Sequence, residues 1–97
     1  MKRLFAVIRS RGGAWQASRA LEEQEAWDAH ASFMNSLEKE GFIVLGGPLE
    51  ETADVLLIAR AATSNEIIQR LSADPWTSLD LLRVTRVTQW TLRLGSL

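Results

Sequence analysis

The run Val55-Leu56-Leu57-Ile58-Ala59 constrains this chain more than any other stretch. An unbroken apolar segment of this length reads as a strand buried on both faces, because a strand with one wet face alternates apolar and polar residues. Leu4-Phe5-Ala6-Val7-Ile8 and Phe42-Ile43-Val44-Leu45 repeat the pattern. A sheet built on these runs needs a cover on each side. At 97 residues the chain reads as one domain, which buries only about two-thirds of the surface its unfolded form exposes. It has little material from which to make two covers.

The segments between the runs show what is available. Ser10 to Ala20 holds Gly12-Gly13, Trp15 and small polar residues, and reads as a loop. A first helix is expected from about Leu21 to Glu40. On it Ala26, Trp27, His30, Phe33, Met34 and Leu37 share an arc opposite Asp28, Ser32, Asn35 and Lys39. Gly41 follows where a left-handed residue ends a helix. The second strand, Phe42 to Leu45, is closed by Gly46-Gly47-Pro48, and an acidic loop leads to the third at Asp54. Thr63-Ser64-Asn65-Glu66 has the capping-box spacing, and Ile67, Ile68 and Leu71 continue it as a second helix. That helix should stop near Ala73, because Pro75 pushes Asp74 out of the helical region. Leu81 to Leu94 reads as a fourth strand with Val84, Arg86, Thr88, Trp90 and Leu92 in one phase, more polar and nearer an edge.

The order βαββαβ is the ferredoxin-like arrangement, an α+β fold with a four-stranded antiparallel sheet and two helices on one face. The other face stays bare. If roughly six to eight strand side chains point that way, leaving each large one in water forfeits on the order of 1.5 to 3 kcal/mol, which rivals a small domain's whole stability. A second copy laid sheet against sheet removes the deficit, so a homodimer is expected. The alternative is an open face merely less polar than average.

Composition excludes several classes. The net charge of -1 lacks the basic excess of a nucleic-acid binder. There is no cysteine, which rules out disulfides and thiolate chemistry and fits a cytoplasmic protein. No apolar run approaches the ~18 residues of a membrane span. Met1-Lys2-Arg3 begins like a signal peptide, but Leu4 to Ile8 is too short for its apolar region, and Arg9 and Arg11 follow at once. One histidine with scattered carboxylates is no metal signature, and no cofactor is expected.

Trp27-Asp28-Ala29-His30-Ala31-Ser32-Phe33-Met34, Val44-Leu45-Gly46-Gly47-Pro48-Leu49, Ala73-Asp74-Pro75-Trp76 and Gln89-Trp90 together resemble the YciI-like (YCII-related) proteins. The resemblance spans nearly the whole chain. It implies a small cytoplasmic dimeric α/β barrel, related in fold to muconolactone isomerases, with a proposed histidine-aspartate pair in a pocket. It also implies kinship with a protein linked to dechlorination of chlorinated aromatics. By position the pair is His30 and Asp74. The chain departs from the family pattern at Thr77-Ser78-Leu79-Asp80, where a small-residue and glycine run is expected.

Each candidate has a bland reading beside the functional one. His30, the only histidine, is either a core imidazole tied to a backbone carbonyl or a general base. Asp74 is either the cap of a new helical turn beginning at Pro75 or the residue that orients His30. Trp27 and Trp76 are core packing or the walls of an aromatic pocket, whereas Trp15 has no core stripe to join and is placed on a ligand. Arg9, Arg11 and Arg19 either draw in an anionic substrate or are simply solvated. Gly47 and Pro48 complete the expected substrate-binding set with Trp15, Trp27, Trp76 and Arg9. The leading expectation is a cofactor-independent enzyme, of isomerase or lyase and dehalogenase type, moving a proton on a small aromatic or carbonyl metabolite. A binding or accessory module that turns nothing over is the alternative; a monooxygenase of the same architecture has only the fold behind it.

Overall fold

Val55 to Ala59 lie at the centre of strand β3, Asp54–Ala61, in a computed structural model that describes residues 1–97. With β1 (Arg3–Arg11), β2 (Ile43–Pro48) and β4 (Leu82–Gln89) it forms one antiparallel sheet of order β2-β3-β1-β4. Helix α1 (Trp27–Lys39) joins β1 to β2, and α2 (Ser64–Leu71) with the one-turn α3 (Pro75–Ser78) joins β3 to β4. This is the ferredoxin-like fold, with α3 as a third short helix. No helix is long and apolar enough to cross a membrane.

Strand alternation splits each apolar run between two faces. Phe5 and Val7 of β1, paired with Ala59 and Leu57 of β3, bury against Leu37 of α1 and Ile67 and Leu71 of α2. Leu4, Ala6 and Ile8 alternate to the other face, where Ala6 pairs with Ile58 and Ile8 with Leu56. That face carries no helix. Ile58 is buried by its neighbours alone, while Leu4, Ala6, Ile8 and Leu56 are half-exposed and Leu45 is 53% exposed.

Two irregularities change the expected phases. Between Ile8 and Arg9 the pairing with β4 shifts from Arg86 to Val84, leaving Thr85 as an extra residue. Val84 and Val87 therefore both reach the helix-covered core, and the single phase from Val84 to Leu92 does not hold. The fourth strand also ends at Gln89, short of Leu94. In β2 the register slips at Val44, so Gly46 pairs with Leu57 on the covered face and Gly47 with Leu56 on the open one.

The first helix begins six residues later than the expected start at Leu21. Leu21–Glu23 is a single 3-10 turn, Ala26 adopts a left-handed φ of 58°, and α1 starts at Trp27. Competing bonds explain the break. The Glu25 carbonyl accepts the indole N–H of Trp76 at 2.6 Å, and the Gln24 amide is drawn inward to Gln16 and Arg19. Gly41, at φ 82°, ends the segment as expected.

Candidate functional site

The site is assembled at the junction of β1, α1 and α3 by three polar side chains that the fold removes from water. Alternation along β1 places Arg9 on the same face as Phe5 and Val7, so it points into the protein and is 1% exposed. The 3.6-residue period of α1 puts His30 on the covered arc. Asp74 caps α3: its Oδ1 accepts the Trp76 N–H at 2.9 Å, and Pro75 occupies the first helical position.

Capping one helix leaves Asp74 with lone pairs for two further partners. Nδ1 of His30 lies 2.8 Å from Oδ2 and 3.0 Å from Oδ1, and Nη1 of Arg9 donates to Oδ2 at 2.8 Å. The residue is 1% exposed. Burial by itself would push its carboxyl up, but the bonds from His30, Arg9 and the Trp76 N–H outweigh it and hold the carboxyl below the usual carboxylate range. Asp74 is thus an ionised acceptor. Nδ1 of His30 is then the donor, and in the neutral form of the ring the lone pair lies on Nε2. No protein group bonds Nε2, and it is not sealed off.

His30 belongs to the wall of a cavity of about 310 Å³ between α1, the β2–β3 edge and the loop after β1. The imidazole stacks on Trp76, with centroids 3.8 Å apart and planes 4° from parallel. Trp15 meets the same indole edge-on at 5.6 Å, and Trp27 closes the corner at 5.8 Å from Trp76 and 5.9 Å from His30. Met34, Ile43, Val55 and Leu57 extend the apolar wall. At Gly46 an added Cβ would come 2.7 Å from the Leu57 Cδ2, so a side chain there would crowd the cavity wall.

Of the residues singled out from sequence, His30, Trp15, Trp27, Trp76 and Pro48 line this cavity, and Asp74 stands directly behind His30. Two placements need correction. Arg9 is not at a surface where it could attract an anion; its Nη2 donates to Thr77 at 3.0 Å, and its Nε is buried without a partner. Gly47 does not line the cavity, because the slip at Val44 puts Gly46 there instead. Arg19 also stays away from it, whereas Arg11 is part of the lining. Thr77, in the stretch that departs from the family pattern, is the residue that holds Arg9 and itself donates to the Leu71 carbonyl at 2.8 Å. Alternation along β1 was the signal that could have placed Arg9 inside. No three His, Asp or Glu side chains converge where they could hold a metal ion.

A family model of the YCII-related domain matches residues 7–91. The chain belongs to the YCII-related family. Among solved structures, this YCII-related protein is similar to 5-chloro-2-hydroxyhydroquinone dehydrochlorinase (TftG) from Burkholderia phenoliruptrix AC1100, solved in complex with 2,5-dihydroxybenzoquinone. The two share 22% identity over 95% of each chain, with a TM-score of 0.56. That likeness supports the shared fold. A search of curated proteins gives no match.

Proposed function

We propose that this YCII-related protein is a small enzyme that moves a proton on a planar aromatic or quinone-like metabolite, with His30 as general base and Asp74 as its positioning partner. The observation that carries the reading is the division of labour on one imidazole: Nδ1 is held by an ionised carboxylate, and Nε2 faces an aromatic cavity. A base tied in this way is fixed in tautomer and direction, and the cation it forms is stabilised where it arises. Nε2 takes a proton from an acidic C–H or O–H of the bound ring. Return of that proton to another atom of the ring is an isomerisation; departure of a halide with the freed electron pair is an elimination of hydrogen halide. The likeness to a dehydrochlorinase favours testing the second first.

A dimer completes the proposal. The open face, bearing Leu4, Ala6, Ile8, Leu56 and Ile58, suits a second copy laid against it. Sedimentation is expected to give a dimer at micromolar concentration, and a stable monomer would remove this part of the reading.

Chlorinated hydroxyhydroquinones offered to the wild type should release chloride. His30→Gln, close in size to the original, should lower the rate by about 10² to 10⁴ while the fold survives, and Asp74→Asn should lower it too, with a loss of stability because Arg9 loses its countercharge. Undiminished turnover by a folded His30→Gln protein would refute the mechanism.

A further inference from the structure

The polar groups around the cavity are arranged unevenly, and Arg11 is the odd one. It extends the covered phase of β1 one step past Arg9, pairing with Leu82, and its side chain lies at the cavity wall. Its guanidinium sits 4.6 Å above the Trp15 ring. Arg11 is an exposed residue, and the ring face attracts its cation without using its N–H donors. No carboxylate lies within ion-pair distance of it, whereas Arg9, Arg70 and Arg83 each have one.

Two acidic residues also line the cavity. Asp54 accepts the Ser10 hydroxyl at 2.7 Å, and Glu38 stands two turns beyond His30 along α1, about 12 Å further at the helical rise. Because β2 runs back antiparallel to α1, Glu38 marks the end of the groove near Ile43. Arg11, with Trp15, Trp27 and Pro48, marks the other. Asp54, whose strand partner Ser10 directly precedes Arg11, stands at that same end, so the tryptophan end carries both signs of charge and the far end a carboxylate, with His30 between them.

We propose that Arg11 is the specificity residue of this cavity and selects aromatic ligands carrying an ionised oxygen, a carboxylate or an enolate, which it seats at the tryptophan end. This rests on the cavity being the substrate site. The guanidinium offers paired donors matched to two adjacent oxygens. Arg11 thereby sets which ring atom meets His30.

The test reads binding of ligands by quenching of the cavity tryptophans, so it does not depend on turnover. 2-Hydroxybenzoate and 2,5-dihydroxybenzoquinone, the latter ionised at neutral pH, are compared with neutral 2-hydroxybenzamide. Wild type should bind at least one of the anions, and Arg11→Gln should weaken that anion by about 10- to 100-fold, as loss of a charge-assisted bond does. The amide should change less than about threefold, and Arg11→Lys should recover part of the loss. Whichever anion loses affinity identifies the group that is read. If neither anion binds wild type, or if Arg11→Gln keeps its affinity for both, the inference fails. His30→Gln should leave the Arg11 discrimination in place, so a failure of the proton-transfer reading shows in turnover alone.

Discussion

Two parts of the interior lie on the same covered face of the sheet and are held together by different forces. The larger one joins Phe5, Val7, Leu37, Leu57, Ile67 and Leu71 and contains no polar side chain. The smaller one, around Trp76, Leu81 and Leu82, encloses the Arg9, Asp74 and His30 knot. Area removed from water stabilises the first, a term indifferent to direction. The second stands only while each charged group keeps its partner, since a buried ion alone is far costlier than the pair is favourable. Residues two apart on one strand belong to the two regimes: Val7 to the first and Arg9 to the second. A polar cluster can be placed inside a domain this small because Asp74 pairs with both Arg9 and His30, although Arg9 Nε keeps no partner.

Truncation should separate the regions most clearly. Asp74→Ala strands Arg9 in the interior and is expected to cost about 3 to 5 kcal/mol by urea denaturation. Leu71→Ala, which deletes a fully buried side chain, should cost about 2 to 5 kcal/mol through the cavity it leaves. These overlap, so conservative exchanges sharpen the contrast. Leu71→Met keeps the volume and should cost less than about 1.5 kcal/mol. Arg9→Lys keeps the charge but cannot span Asp74 and Thr77 together, and it should be the more damaging of the two. Equal tolerance at both sites would erase the distinction.

Acid gives the smallest effect. The Asp74 carboxyl is held below its ordinary value of about 3.9, so its ionised form binds the folded protein more tightly than the unfolded one. The resulting stability is fully present above about pH 4 and is lost as pH falls through the lower, folded value. Asp80, also held low, by Arg83, titrates in the same window in both wild type and Asp74→Asn. The difference between the two proteins therefore isolates Asp74, and it should narrow between pH 5 and the acid limit. A difference independent of pH would show that the carboxylate is not the group that matters.

The strand runs, the capping box at Thr63 and the Gly41 stop were legible because each depends on residues a few positions apart. His30 could be placed on a helical arc and Asp74 before a proline that begins a new turn for the same reason, whereas their pairing was implied only by the resemblance to the family. Asp74 caps α3 and also hydrogen-bonds His30. The start of α1 was not legible, because the Glu25 carbonyl is claimed by an indole far along the chain. Nor was the exchange of Gly47 for Gly46, which follows from a one-residue slip in an edge strand.

The amino-acid order by itself determined the sequence of elements and which residues could face inward, since periodicity and local capping are written in near neighbours. Only the tertiary structure decided that Arg9 closes onto Asp74, that Nε2 rather than Nδ1 of His30 opens to the cavity, and that Arg11 is left without a carboxylate. Those outcomes depend on distances between segments remote in the chain. Such distances exist only once the sheet has brought the segments together.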